Sequence, residues 1–140
     1  MVTTVAYRDG TMACDSQISG GYISSCPSKV IVGREYMVGF CGLYTAGYSG
    51  ALYLAGESQD RPDVYGEDEA EFIVTDGKQI WIADERLRMA PIGDKYWATG
   101  SGGAAAMAAM HMGASAEEAV KIAIKLDESS GGKVRTFNLG

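Results

Sequence analysis

Two threonines near the start of the chain, Thr3 and Thr4, are its best candidates for covalent chemistry. A threonine hydroxyl is a poor nucleophile until a base accepts its proton. A threonine at a free N-terminus carries its own base, because the reference pKa of an α-amine is about 7.7–8.0. Thr3 is therefore a candidate nucleophile in a chain that is processed to begin at that residue.

The chain also contains the groups that such a threonine needs. Lys29 would lower the pKa of the α-amine and stabilise developing negative charge, and Asp15 would hold that lysine charged and oriented. A backbone N–H in the turn at residues 39–42 would form an oxyanion hole. Because threonine, aspartate and lysine are common residues, this set by itself also fits an arrangement without chemistry.

The first predicted hairpin brings the threonines and the aspartate together. Asp9-Gly10 lies between two β-rich segments, which is a strong signal for a two-residue turn. Counting back from that turn places Thr4 opposite Asp15. Thr3 is then diagonal to Asp15 and within reach of its side chain.

The rest of the chain alternates strands with helices, as judged from apolar periodicity, turn residues and caps. We predict hairpins at 29–41 and 70–83, helices at 43–54, 104–111 and from the Ser115 cap to 126, strands at 96–99 and 133–139, and an exposed loop at 58–69. Two stacked, mostly antiparallel sheets with a helical layer on each outer side would bury these elements. At 140 residues, we expect a single α+β domain spanning 1–140.

Composition and charge argue against several classes of partner. With 12 basic and 18 acidic residues the net charge is −6, so nucleic acid is not expected as the main partner, and the mixed charges within 78–95 indicate a solvated loop. Glycines interrupt the long uncharged runs, so no membrane span is expected. The N-terminus lacks the pattern of a signal peptide. Three cysteines cannot all pair, which favours buried free thiols in a reducing cytoplasm.

Three other features have both a functional and a structural interpretation. The glycine-rich run 100–103 precedes a helix and would suit an anion, although a tight turn explains it equally well. His111 is the only histidine and has no acid close in sequence, which favours a helix residue over a catalytic base. Tyrosines 44, 48 and 53 lie along one predicted helix and suit either the core or a subunit interface.

Five short motifs follow one another along the chain and cover most of its length. They are Thr3-Thr4-Val5 with Asp15-Ser16-Gln17, Lys29-Val30, Gly39-Phe40-Cys41-Gly42, Gly100-Ser101-Gly102 and Asp127-Glu128-Ser129-Ser130-Gly131-Gly132. In this order they resemble the motifs of proteasome β-subunits and the related bacterial HslV peptidase. Each motif is weak alone, and the ordered set is specific.

The resemblance implies the four-layer αββα sandwich of N-terminal nucleophile hydrolases and a threonine-type peptidase. In that family the threonine corresponding to Thr3 attacks the scissile carbonyl and forms an ester that water hydrolyses, without a metal or organic cofactor. The catalytic residues that the resemblance implies are Thr3, Asp15, Lys29, Gly42 as the oxyanion donor, and Ser101, Asp127 and Ser130 as supports of the amine. For substrate binding it implies Ser19, which aligns the substrate, and Phe40, which lies at a specificity pocket.

The resemblance also implies peptide or protein substrates, a homo-oligomer that forms a ring, and an ATPase unfoldase as a candidate partner. Three departures bear on this expectation. Met1-Val2 precede Thr3 and must be removed to free its amine, Leu43 replaces a usual glycine, and 58–69 leave little room for the family's second helix. The alternatives are a catalytically inactive ring-forming or protein-binding module on the same fold, for instance one encoded by a phage, and a small-molecule amidase.

Overall fold

The computed structural model describes residues 3–19, 23–62 and 70–139. Their strands are β1 (Thr4–Arg8), β2 (Thr11–Cys14), β3 (Gln17–Ser19), β4 (Ile23–Ser25), β5 (Val30–Val32), β6 (Met37–Gly42), β7 (Ala70–Thr75), β8 (Ile80–Ala83), β9 (Met89–Ile92), β10 (Tyr96–Gly100) and β11 (Arg135–Asn138). Their helices are α1 (Tyr44–Leu54), α2 (Gly103–His111) and α3 (Ala116–Leu126).

The strands form two main sheets, in which neighbouring strands run antiparallel. One sheet has the order β10-β1-β2-β11, and the other has the order β5-β6-β7-β8-β9. Strands β3 and β4 pair separately as a short antiparallel ribbon. With α1 on one outer side and α2 and α3 on the other, the predicted α+β sandwich of two sheets between helical layers is confirmed.

The first hairpin has the predicted turn and register. Arg8 lies opposite Thr11, and the left-handed φ angles of Asp9 (51°) and Gly10 (82°) suit the tight turn that joins twisted strands. At the other end, the Asp15 amide donates to the Thr4 carbonyl across 3.2 Å. The hairpin therefore brings the start of β1 next to Asp15, as the sequence predicts.

Alternation along each strand separates three apolar layers. Val5 and Tyr7 of β1 face the interior between the sheets, whereas Ala6 faces α2 and α3. On β6, Met37 faces the interior between the sheets and Val38 faces α1. Both faces of each central strand are thus buried, as expected of a four-layer structure.

Glycines at three positions allow layers to approach closely. A Cβ at Gly39 would lie 2.4 Å from Met12 Sδ and 2.5 Å from a Val5 methyl, so glycine is needed where the two sheets meet. A Cβ at Gly47 would lie 2.5 Å from the Phe40 ring, and one at Gly50 would lie 2.6 Å from the Phe72 ring. These glycines therefore let α1 pack against its sheet, which offsets their low helix propensity.

The helix predicted after Ser115 begins with a complete capping box. The Ser115 hydroxyl accepts from the Glu118 amide at 3.1 Å, and the Glu118 carboxylate accepts from the Ser115 amide at 2.9 Å. Its buried face is formed by alanines and Val120. This helix, α3, packs on β1 and β2 and so lies directly behind the candidate site.

Three strands were not predicted, namely β3, β4 and β9. Strand β9 lies within the segment 78–95 that was expected to be a solvated loop; it is an edge strand containing Pro91 and is largely exposed, so it lacks apolar alternation. Residues 63–69 of the predicted exposed loop lie outside the described residues.

No helix in the described part of the chain combines the length and apolar character that crossing a membrane requires. The three cysteines are buried free thiols, as predicted.

Candidate active site

The Lys29 ammonium is the centre of the candidate site. It lies just before β5 and donates to the Thr3 hydroxyl oxygen, to Asp15 Oδ1 at 2.8 Å and to the Gln17 carbonyl at 2.5 Å. The Lys29 and Asp15 side chains are 4% and 0% exposed. Because an ammonium has three N–H donors, these three acceptors satisfy it completely.

Backbone amides also hold the Asp15 carboxylate. Its Oδ1 accepts from the Thr4 amide at 3.3 Å, and its Oδ2 accepts from the Gly131 amide at 2.9 Å. A buried charge requires such partners, since removal from water is costly without them. Asp15 therefore ties together the lysine, the start of β1 and the segment that precedes β11.

The contacts of Thr3 define what its hydroxyl can do. The Thr3 hydroxyl oxygen accepts a hydrogen bond from the Lys29 ammonium. The Thr3 hydroxyl proton therefore remains available to a base. Lys29, with its N–H groups committed to three acceptors, acts here as a donor rather than as that base. The geometry thus provides charge stabilisation next to the Thr3 oxygen and requires the base to come from another group.

A small cavity of about 10 Å³ lies against Thr3 and is lined in part by Lys29, Phe40 and Gly42. This volume corresponds to about one water molecule. Gly42 ends β6 with φ at 102°, a left-handed conformation that favours glycine. Tyr44, the first residue of α1, lines this cavity and also a neighbouring one of about 370 Å³.

A second polar cluster adjoins the first through Thr4. The Thr4 and Ser130 hydroxyl oxygens lie 2.7 Å apart, and Asp127 Oδ2 accepts from Ser130 at 2.6 Å and from Ser101 at 2.5 Å. Since the Ser130 proton is directed to Asp127, Thr4 donates to Ser130. Burial acts to raise the pKa of Asp127, but the hydrogen bonds from Ser101, Ser130 and the Ser129 amide together outweigh burial and lower it.

The glycines of the Gly100-Ser101-Gly102 motif fit closely against the two threonines. A Cβ at Gly100 would lie 1.7 Å from the Thr3 carbonyl oxygen, and one at Gly102 would lie 2.0 Å from Thr4 Oγ1. Gly100 also has φ at 98°. The motif therefore shapes the backbone around the site, which is a more specific role than the anion site or simple turn considered from sequence.

The structure places the predicted site residues in two connected groups. Those at the small cavity and its buried ion pair are Thr3, Asp15, Lys29, Phe40 and Gly42, and those of the second cluster are Ser101, Asp127 and Ser130. Ser19 lies in β3, and its side chain is outside what the structure describes. His111 contacts the Tyr96 hydroxyl at the end of α2.

Sequence reasoning missed two contributions to this region. The Gln17 carbonyl is the third acceptor of Lys29, and the Thr4 hydroxyl joins the two groups. The first is a backbone group, which no residue type in the sequence can indicate. Thr4 belongs to the Thr-Thr pair noted in the sequence, but its hydroxyl was not expected to join the two groups.

The nearby thiols are not suited to act as nucleophiles. Burial raises the pKa of Cys14 to about 11 and that of Cys41 to about 12, so both stay protonated near neutral pH. Among the described residues, no three His, Cys, Asp or Glu side chains gather as a metal site would require. The polar side chains that the structure brings together here carry hydroxyls, an ammonium and carboxylates.

No protein-family model matches the chain, and no curated protein matches its sequence significantly. Solved structures do match its fold. Eukaryotic HslV from Trypanosoma brucei has a TM-score of 0.73 at 21% identity, with 99% of each chain covered. The BPH protein of Thiobacillus denitrificans in complex with epoxomicin has a TM-score of 0.69 at 19% identity, with 100% of each chain covered. Uncomplexed BPH has a TM-score of 0.66 at 17% identity, over 100% of this chain and 99% of that one. The chain therefore has an HslV/proteasome β-type fold.

Proposed function

We propose that this protein is a threonine-type peptidase of the proteasome/HslV type, with Thr3 as its nucleophile after removal of Met1-Val2. The observation that carries the proposal is the buried Lys29 ammonium, which donates to the Thr3 hydroxyl oxygen while it is paired with Asp15. A lysine placed in this way would stabilise the negative charge that develops on the nucleophile.

The first step requires a base, and the α-amine of a processed Thr3 is the group proposed for it. The amine accepts the Thr3 hydroxyl proton as the oxygen attacks the carbonyl carbon of the scissile bond. Lys29 stabilises the attacking oxygen, and the Gly42 N–H donates to the oxyanion. Ser101, Asp127 and Ser130, whose hydrogen bonds form one cluster next to Thr4, are proposed to support the amine.

Collapse of the oxyanion breaks the C–N bond, and the proton held by the amine passes to the leaving nitrogen. The substrate acyl group then remains on Thr3 Oγ1 as an ester. Water attacks that ester, and the amine accepts a proton from the water. The bond between the acyl carbon and Thr3 Oγ1 then breaks, Thr3 Oγ1 takes the proton back from the amine, and the carboxylic acid product leaves. Every step uses groups of the chain, the substrate and water.

The space beside Thr3 suggests how a substrate side chain is held. The cavity of about 370 Å³ shares Tyr44 with the Thr3 cavity and is also lined by Ile31 and Tyr48. Phe40 packs against the rings of Tyr44 and Tyr48, with centroids 5.9 and 6.1 Å away. An apolar substrate side chain fits such a lining, and Ser19 remains a candidate for aligning the substrate backbone.

We further propose that this single domain, residues 1–140, assembles into a homo-oligomeric ring in the cytoplasm, acts on peptides or proteins, and works with an ATPase unfoldase. Tyr48, 40% exposed on α1, supports a subunit contact on that helix. Light scattering at micromolar concentration should give a multiple of the subunit mass, which is 14.8 kDa before Met1-Val2 are removed. A monomer at every concentration would contradict the ring.

Two measurements test the peptidase. Intact-mass analysis should find a chain that begins at Thr3, and a threonine-directed peptide electrophile should label it. Thr3→Ala should abolish labelling, whereas Thr4→Ala should retain most of it. Equal loss in the two variants would remove Thr3 as the nucleophile. Epoxomicin, which is bound in the BPH complex, is a suitable first probe.

The second candidate is a catalytically inactive module that forms rings or binds proteins on the same fold. The residues Met1-Val2 ahead of Thr3 favour it, because an N-terminal threonine exists only after their removal. A purified chain that begins at Met1 or Val2 and resists the probe would support this candidate. Hydrolysis of small amides without hydrolysis of peptides would instead support an amidase.

A further inference from the structure

A polar contact joins the two sheets at the end where the candidate site lies. The Thr99 hydroxyl on β10 donates to Glu71 Oε2 on β7. The Cys41 thiol on β6 lies 3.6 Å from Thr99 Oγ1 and 3.7 Å from Glu71 Oε2. Cys41 and Glu71 are direct partners across the β6–β7 ladder, so their side chains share the face that meets β10.

Each sheet contributes one half of the site next to this contact. Cys41 precedes Gly42, so the peptide that carries the proposed oxyanion donor begins at a residue within the contact. Thr99 precedes Gly100, whose backbone lies against the Thr3 carbonyl. The donor peptide belongs to one sheet and the nucleophile to the other, and their separation depends on what holds the sheets together.

Glu71 is not required by the fold at this position. The residue is exposed and lines the end of a groove of about 680 Å³ between the sheets, where an apolar residue would also fit the alternation of β7. Its carboxylate provides a hydrogen-bond acceptor that reaches the other sheet. Because this oxygen accepts the Thr99 hydrogen bond, Glu71 can hold the two sheets in a fixed relative position at this end.

We propose that Glu71 is a positioning residue, which sets the Gly42 N–H relative to Thr3 by accepting the Thr99 hydroxyl across the two sheets. This inference rests on the proposed function, because the distance it controls matters only for attack at Thr3. Glu71 does not touch the reacting atoms. Its loss is therefore expected to reduce the rate of the chemical step rather than substrate binding.

Kinetics of three variants test the catalytic part. Glu71→Ala should lower kcat by about 10- to 100-fold, as misplacement of reacting groups does, with KM changed by less than about twofold. Glu71→Gln retains an acceptor oxygen and should restore most of kcat. Glu85→Ala is the matched control, since Glu85 lines the same groove but does not take part in the Thr99–Cys41 contact.

Alkylation of Cys41 tests the contact without any peptidase activity. Thr99→Val keeps the side-chain shape and removes the hydroxyl. Burial, which is the largest cause of the raised pKa of Cys41, keeps its alkylation slow while the sheets stay closed at this end. Faster alkylation of Cys41 in folded Thr99→Val would therefore report that the sheets open at this end. Peptide mapping by mass spectrometry measures the rate at Cys41 separately from those at the other two cysteines.

The outcomes separate the two proposals. Lower kcat in Glu71→Ala, rescue by Gln and faster Cys41 alkylation in Thr99→Val support the positioning role. An inactive wild-type protein with the same alkylation result would refute the peptidase and leave the contact standing. Equal kinetics of Glu71→Ala and wild type, no rescue by Gln, or unchanged Cys41 alkylation in Thr99→Val would overturn the role of Glu71.

Discussion

Lys29 Nζ lies 2.8 Å from Asp15 Oδ1, and both side chains are almost fully buried. An ion pair in such a place costs desolvation energy, which a hydrophobic pair would avoid. The pair therefore adds little net stability to the fold, but loss of either residue would leave the other as a buried charge without its counter-ion. A pair that stabilises poorly but orients the Thr3 hydroxyl is expected at a functional site rather than in an ordinary core.

The first prediction concerns the stability of this pair. Lys29→Met should destabilise the protein by about 3–5 kcal/mol, because the Asp15 charge is left buried with amide partners alone. The double variant Lys29→Met with Asp15→Asn should lose less stability than the sum of the losses in the two single variants. Urea unfolding followed by circular dichroism measures these differences.

A surface pair provides the control for this comparison. Lys121 and Glu117 lie 3.6 Å apart on α3, with side chains 60% and 50% exposed. Lys121→Met should change stability by less than about 1 kcal/mol, as is typical of exposed pairs. A loss for Lys29→Met as small as that for Lys121→Met would show that Asp15 is not held as a buried charge.

The second prediction concerns Gly100. Gly100→Ala should reduce both stability and probe labelling at Thr3, since its Cβ would lie 1.7 Å from the Thr3 carbonyl oxygen. Gly113→Ala is the matched control, because Gly113 has a similar φ of 105° against 98° but open space around it. The difference between the two variants in thermal unfolding isolates the clash from the backbone strain. Equal effects would show that Gly100 is kept for its φ angle alone.

The elements that carry local signals were predictable from sequence. The Asp9-Gly10 turn fixed the register that places Thr4 beside Asp15, and the Ser115 capping box marked the start of α3. The ordered motifs indicated the fold because they lie far apart along the chain and their residues come together only in that fold. Local turn chemistry and ordered motifs thus predicted the architecture, and they named most of the residues that the structure brings together around Thr3.

What could not be predicted depends on contacts between distant residues. Strand β9 is an exposed edge, so its residues carry no alternation that would indicate a strand. The Glu71–Thr99 contact joins residues on different sheets, and neither belongs to a recognisable motif. The need for glycine at position 47 of α1 arises from the Phe40 ring that packs against it, and a contact between an α1 residue and a β6 residue cannot be deduced from the local sequence.

The third prediction concerns thiol reactivity. Burial raises the pKa of Cys14 to about 11 and that of Cys41 to about 12, and both thiols are inaccessible in the folded protein. Iodoacetamide at about pH 7.5 should therefore modify them at least about 100-fold more slowly in native protein than in urea. Peptide mapping after timed quenching measures the rates. Rapid native labelling of Cys14 would contradict the packing between the sheets.

The fourth prediction concerns the acid stability of the Ser101–Asp127–Ser130 cluster. Burial opposes ionisation of Asp127, but the Ser101 and Ser130 hydroxyls and the Ser129 amide together outweigh it and hold its pKa below the ordinary value of 3.8. The contribution of this carboxylate to folding is fully present above that ordinary value. It is lost as the pH falls through the lower pKa of the folded state, because the unfolded state binds the proton first.

Comparison of Asp127→Asn with wild type isolates this contribution. Other carboxyls with lowered pKa, such as Asp76 and Glu118, are present in both proteins and cancel in the difference. The free energies of unfolding should differ most near pH 6 and converge as the pH falls below about 4. Ser101→Ala, which removes one donor, should show an intermediate dependence on pH. Urea titrations at several pH values measure the difference, and parallel curves for Asp127→Asn and wild type would show that Asp127 has the same pKa in the folded and unfolded states.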